Sequence, residues 1–281
     1  MKRITTKNDF IKDQRKQKIT ILLSQLIIVI LFFSLWELFS NIGIINVFLY
    51  SKPSRFINTF IMYAKEGLFH HVYISSIETI LGLIIGTSLG ILCATILYFF
   101  SLIQKIIDPF LTTLNALPKT ALGPLIIIIL GTSYKGIIGV CISLNLIITI
   151  ISSLNYFCSV DPSLIKMMKV MGASRIQILF NVIYPSSINS LFSLLKVNIG
   201  LSWIGTIVGE FLVSKEGIGY IVVYGSQVFK MDLVMMGVII LCFVALIMYG
   251  FICICEKVYI FSKDKKRLNY KHSFECLIFT M

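Results

Sequence analysis

Six apolar runs, residues 19–40, 72–100, 110–131, 136–154, 188–213 and 233–259, occupy most of the chain. Each is near or above the roughly 20 residues that a helix needs to cross the hydrocarbon core of a bilayer. No water reaches that core, so the backbone of a spanning run has to satisfy its own hydrogen bonds, and a helix does this within one segment. The runs predict an all-α polytopic membrane protein with six transmembrane helices. Charged residues are 14% of the 281, against about 25% in ordinary soluble domains, which argues against a water-soluble globule. The first run follows a basic segment, as in a signal peptide, but its apolar stretch is too long and no small-x-small cleavage site follows. It reads as a retained helix.

Lysine and arginine total 25 and aspartate and glutamate 13, a net charge of +12. In a polar chain that excess would point to nucleic acid. Here the bases gather at the ends and between the apolar runs, where they orient a membrane protein, and no nucleic-acid partner is expected. With the amino terminus in the cytoplasm, 17 bases fall on cytoplasmic segments and six outside: Lys52, Arg55, Lys65, Lys135, Lys215 and Lys230. Lys119 and Lys196 lie within spans. The split predicts that both termini are cytoplasmic, with a basic amino-terminal segment (1–18), one transmembrane domain (19–259) and a tail (260–281) that is expected to fray from Ser262 onward.

Several chemistries find no residues to carry them. The seven cysteines include no CxxC pair, and Cys253 and Cys255, two apart on a helix, point roughly 200° from each other. They read as small apolar fillers. His70, His71 and His272 have no HExxH spacing, and no Gly-Lys dipeptide exists from which to build a Walker A loop. The expectation is no metal, no cofactor and no nucleotide hydrolysis by this chain.

The connections differ in character. After Pro53, residues Phe56, Ile57, Phe60 and Ile61 recur at helical spacing. Residues 54–67 are therefore either an amphipathic helix on the outer surface or a plain extracellular loop. Residues 158–185, between the fourth and fifth runs, are too polar to enter the bilayer. Asp161-Pro162 marks a helix start, because the carboxylate can cap free amides and proline loses no hydrogen bond at the first position. Leu164, Ile165, Met168 and Met171 then form an apolar stripe that ends at Gly172. Ala173-Ser174-Arg175 restarts a helix with Ile176, Leu179, Phe180 and Ile183 on one face, followed by Pro185. Two short amphipathic helices bent at a glycine would make a lever for a partner, with Lys166 and Lys169 giving it a basic surface.

Polar groups inside spans are costly, and each is a candidate for function. Asn198, Ser202, Gly205, Thr206 and Gly209 share one face of the fifth run, and Asn145, Thr149, Ser152 and Ser153 repeat the pattern in the fourth. Such stripes either line a pathway or let helices pack closely. Gly82, Gly86 and Gly90, at four-residue spacing, are assigned to packing. Glu37 and Lys196 either snorkel to an interface or take part in transport, and Glu78 and Glu210 are either a structural ion pair, a wet edge or part of the pathway.

The ordered set Asp161-Pro162-Ser163-Leu164, Gly172-Ala173-Ser174-Arg175 and Ile183-Tyr184-Pro185 resembles the EAA loop of bacterial ATP-binding-cassette importer permeases. The resemblance extends from Trp36-Glu37 through Asp108-Pro109, Pro118 and Pro124 to Ser202-Trp203, Glu210, Gly217-Ile218-Gly219-Tyr220 and Asp232, and is nearest to the nitrate, sulfonate, taurine and bicarbonate branch. It implies a type I importer permease fold in the bacterial inner membrane, with a cytoplasmic ATP-binding subunit docked on the loop. It also implies an extracytoplasmic solute-binding protein and a second permease copy, forming a homodimer in lipid. Two positions depart from the pattern. Lys166-Met167-Met168 stands where Glu-Ala-Ala is usual, and Glu78 stands where arginine is common. The implied function is ATP-driven import of a small solute, nitrate-, sulfonate- or taurine-like or a related organic compound. The coupling residues would be Asp161, Leu164, Lys166, Met168, Gly172, Ala173, Ser174, Arg175 and Pro185, and Asn145, Thr149, Asn198, Ser202, Thr206 and Glu210 are pathway candidates. A membrane-embedded lipid enzyme would need a His/Asp/Glu constellation, and an ion-coupled carrier would need inverted repeats with broken helices at the midplane. The sequence displays neither.

Overall fold

The computed structural model describes residues 7–279, with side chains described over 16–262 apart from Lys18 and Lys119. These residues form helices joined by short turns, with no strand among them. The chain divides into two compact units, one of Met1–Glu66 with Tyr224–Met236 and one of Gly67–Val223 with Gly237–Met281.

In the first unit, α1 (Lys7–Ile42) carries the apolar stretch Ile19–Ile42. It is followed by α2 (Val47–Tyr50), which Asn46 caps through Phe48 N at 3.0 Å, and by α3 (Pro53–Lys65). Residues 54–67 are therefore helical over most of their length. Phe56 tucks beside the rings of Phe33 and Trp36, while Ile57, Phe60 and Ile61 stay exposed. Glu37 is partnered. Its carboxylate accepts from Ser54 N at 3.1 Å and Ser54 Oγ at 2.9 Å, capping the start of α3, and lies 3.9 Å from Lys52 Nζ.

The second unit is built on α4 (Leu68–Phe99), α7 (Tyr134–Cys158) and α10 (Tyr184–Val213). Lipid tails are as apolar as leucine, so association between helices in a membrane rests on close packing and interhelical hydrogen bonds. Gly82, Gly86 and Gly90 provide the close approach: a Cβ at each would collide with Cys141, Asn145 and Thr149, three residues with the same four-residue spacing on α7. From the other side Gly205 and Gly209 of α10 press on Cys141 and Ile137, so that α7 is clasped between two helices. Phe157, Leu154, Ile178, Leu179 and Ile183 fill the end of this bundle. The remaining apolar stretch, Met231–Ser262, belongs to α12 (Met231–Phe279), whose Leu241, Val244 and Met248 pack on Leu83, Ile199 and Trp203.

The structure corrects several boundaries. The run at 110–131 is not one straight span. It divides into α5 (Ser101–Ala116), a 3-10 turn (Lys119–Leu122) and α6 (Gly123–Leu130), bent by 87°. Leu117 takes the extended conformation that a residue before proline prefers, and Pro118 then ends the helix. Five helices are long and apolar enough to cross a membrane, and six spans result if the bent pair counts as one. The second helix expected within residues 158–185 is also not a separate short element. After α8 (Pro162–Val170), α9 (Arg175–Ile178) runs through a π turn (Leu179–Ile183) into α10, with Pro185 absorbed in the first turn of α10 rather than following a terminated helix. In the wide turn Tyr184 N reaches back to Leu179 O, which reorganises the bonding just where Pro185 has no N–H to give. The tail, expected to fray, continues α12 to Phe279. The ends of the chain, 1–6 and 280–281, lie outside the described residues.

Candidate functional site

The intramembrane polar residues converge on one another. Asn145 Nδ2 donates to Ser202 Oγ at 2.9 Å and to Gly82 O at 3.2 Å, and Asn198 Nδ2 donates to Thr149 Oγ1 at 2.8 Å and to Thr87 Oγ1 at 3.1 Å. Thr79 donates to Thr206 at 3.0 Å. These rungs join α4, α7 and α10 into a polar ladder whose α10 side, Asn198, Ser202, Thr206 and Glu210, advances four residues at a time. The six pathway candidates are thus brought together. However, Asn145, Thr149, Asn198, Ser202 and Thr206 are 0% exposed and Glu210 is 1%, so none lines an open passage in this structure. The side-chain amides of Asn145 and Asn198 and the hydroxyls they meet hold three helices in contact, the use that packing asks of them, while Oδ1 of each asparagine is buried with no hydrogen-bond partner among the described residues.

At the end of the ladder Glu210 receives Ser75 Oγ at 2.5 Å and Gly219 N at 2.6 Å. Gly219 opens α11 (Ile218–Gln227), so the carboxylate of one helix caps the amides at the start of another, where unpaired N–H groups and the helix dipole favour negative charge. Ile218 N donates to the same Ser75 Oγ at 2.7 Å and Gly217 N to His71 Nδ1 at 3.0 Å. A Cβ at Gly217 or Gly219 would strike Glu210, which explains two glycines so close together. Gly217 also has φ +101°, a backbone that glycine adopts without strain. The sequence named Glu210 and the Gly217-Ile218-Gly219 run separately and did not connect them. The available signal was a carboxylate within ten residues of a glycine-flanked helix start.

Glu78 is buried beside Glu210, with Oε2 lacking a hydrogen-bond partner among the described residues. Neither carboxylate has an ion pair with a described basic residue, so the expected structural ion pair is not what holds them. Lys196 is the residue that pairs. Its Nζ lies 2.6 Å from Glu256 Oε2, tying α10 to α12.

The segment between α7 and α10 is built locally. Asp161 accepts from Ser163 N at 2.8 Å, and this bond holds its carboxyl below the ordinary carboxylate range. Gly172 adopts φ +80° between α8 and α9. Ser174 and Gln177 then form a reciprocal capping box, Ser174 N donating to Gln177 Oε1 at 2.8 Å and Gln177 N to Ser174 Oγ at 3.3 Å. The two apolar stripes split. Ile165, Met168 and Ala173 turn inward onto the bundle end, as do Ile178, Leu179 and Ile183, whereas Leu164, Met167, Val170, Met171, Ile176 and Phe180 are exposed. Met168, expected on a docking face, is half-buried against its own chain, and the free apolar surface lies a step around the helix. Lys166 and Arg175 are exposed beside it.

The family model for the "Binding-protein-dependent transport system inner membrane component" matches residues 86–257, more than half of the chain and the whole of the α7–α10 region. The chain belongs to this family. As such a component it is a multi-pass membrane permease, the transport subunit of an ATP-binding-cassette importer. Family membership implies a separate ATPase and a solute-binding protein as partners. It is 25% identical over 86% of its length to a Bacillus subtilis (strain 168) protein named as an aliphatic sulfonates transport permease, SsuC, with 85% of that protein covered. An Escherichia coli (strain K12) protein of the same name is 26% identical over 74% of this chain and 79% of its own length. The formylaminopyrimidine transport permease protein ThiX of Halalkalibacterium halodurans is 24% identical over 66% of this chain and 74% of its own. The similarity to SsuC covers both the ladder helices and the segment 158–185, and no metal-holding group of His, Cys, Asp or Glu exists among the described residues.

Proposed function

We propose that two copies of this chain form the translocation pathway between them, each crossing the membrane six times with the bent α5–α6 pair as the third span and both termini in the cytoplasm. The solute is a small organic compound of the sulfonate or pyrimidine kind carried by the relatives. The observation that carries this reading is the cytoplasmic segment 158–185. It presents Leu164, Met167, Val170 and Met171 to solvent while its inner face is fastened to the bundle, as a surface for a coupled ATPase requires. Asp161, Lys166, Gly172, Ser174, Arg175 and Pro185 shape that surface, and the buried ladder is bracing within the wall of the pathway rather than its lining. ATP binding to the partner would shift the wall between two orientations through its preference for one of them. Proteoliposomes containing this chain, its ATPase and its binding protein should accumulate solute on addition of ATP, and omission of either partner should abolish uptake. Uptake by this chain alone would refute the reading.

A further inference from the structure

A cavity of about 250 Å³ opens where the end of α4, the start of α5 and the α8–α9 bend meet, walled by Tyr98, Ser101, Ile165, Lys169, Arg175 and Ile178 among others. Its charged residues are both cations. Neither Lys169 nor Arg175 has an ion pair or side-chain hydrogen bond among the described residues, and no carboxylate lines the cavity. Ser101 is the first residue of the sixteen-residue α5, whose amino terminus carries no side-chain cap and adds its dipole to the same space. Two unpaired cations, a hydroxyl and an uncapped helix start facing one partly apolar hollow form a receptor for a tetrahedral oxyanion. The planar guanidinium of Arg175 favours the paired oxygens of a phosphate.

We infer that this cavity binds a phosphate group, and that the group bridges α8, through Lys169, to α9, through Arg175, across the Gly172 bend. The ligand is either the headgroup of an anionic phospholipid or free phosphate. The cavity lies where the apolar length of α4 ends at Phe99, the level of the headgroups, with Ile165 and Ile178 available to the glycerol region. Placement in the inner leaflet rests on the orientation proposed above. An occupied site would stiffen the bend that the coupling segment has to use.

The test uses the assembled importer in nanodiscs of phosphatidylcholine with increasing phosphatidylglycerol, with bound lipid counted by native mass spectrometry. Replacing both cations, Lys169→Gln with Arg175→Gln, should raise the phosphatidylglycerol needed for half-occupancy roughly tenfold to thirtyfold, from two contacts each of the size of a basic residue at an anionic surface. Arg175→Lys, which keeps the charge and loses the fork, should fall between. Lys105→Gln with Lys257→Gln, two exposed bases outside the cavity and outside the coupling segment, should leave occupancy unchanged. A parallel arm titrates inorganic phosphate in pure phosphatidylcholine discs. Saturable binding there that depends on Lys169 and Arg175 assigns the phosphate to a soluble source, and its absence with retained lipid binding assigns it to the headgroup. Unaltered binding of both ligands by the double variant, or an equal loss in the Lys105 and Lys257 pair, would overturn the site. Occupancy in nanodiscs does not depend on which leaflet the loop faces in a cell, so this result stands apart from the sidedness of the chain.

Discussion

Glu210 illustrates why one residue in a span can matter more than its apolar neighbours. It satisfies Ser75 and Gly219 at once, at a position only 1% exposed, where an unmade bond is costly. Truncation in Glu210→Ala should therefore strand a hydroxyl and an amide and lower stability by about 1–3 kcal/mol, whereas Glu210→Gln keeps an acceptor and should lose less. Thermal unfolding in detergent compares the two, and equal midpoints would remove the capping role. Asp161 is a second cap of different character, fully exposed and read through pH. Its folded carboxyl is held below the ordinary range by Ser163. Its contribution is therefore present above the unfolded pKa and disappears as pH falls through the lowered folded value. Amide exchange at Ser163 should accelerate in Asp161→Ala and remain near wild type in Asp161→Asn. The acceleration relative to wild type should shrink in acid. A ratio independent of pH would mean that the carboxylate is not the cap.

At the scale of elements, the α8–α9 bend depends on backbone conformation and not on space. Gly172 has φ +80° and nothing within 4 Å of where a Cβ would be, so the penalty in Gly172→Val is conformational, roughly 1 kcal/mol or more. Gly172→Asn, which tolerates this region, should be milder. The valine variant should insert normally yet fail to couple ATP hydrolysis to uptake, and ordinary coupled uptake would show that the bend is only a helix stop. Residue patterns exposed this element well: Asp161-Pro162, Gly172 and Ser174 are each local signals, and each caps or bends the chain where the pattern places it. They did not expose the π turn, since nothing in Leu179–Ile183 differs from ordinary helix formers and the cue, Pro185, reads equally as a terminator. The same limit applies to the third apolar run, where hydropathy continues smoothly across a bend that Pro118 imposes. The capping of α3 by Glu37 and of α11 by Glu210 escaped because each joins residues that only the fold brings together.

For the molecule as a whole, the 17 to six partition of bases predicts the sidedness of every connection. Single cysteines at positions 52 and 216 should react with an impermeant reagent in intact cells, and one at position 160 should not. Labelling at position 160 would invert the assignment. Hydropathy marked the apolar stretches, five of which are helices long enough to cross a membrane. It could not reveal whether Asn145, Asn198 and Thr206 face a channel or a neighbouring helix, because both uses ask for the same residues. The ladder has a mechanical consequence. Its teeth repeat every four residues, so a slide of one helical turn, about 5.4 Å, would offer most of them new partners of similar kind. One tooth is keyed: a slipped Glu210 would leave the hydroxyl of Ser75 on α4, which also receives Ile218 N. The glycine notches that admit Cys141, Asn145 and Thr149 resist sliding in the same way. Helices keyed in this way would tilt together rather than shear, so under the proposed coupling a stroke applied at the Arg175 end would reach the Val213 end of the same continuous helix.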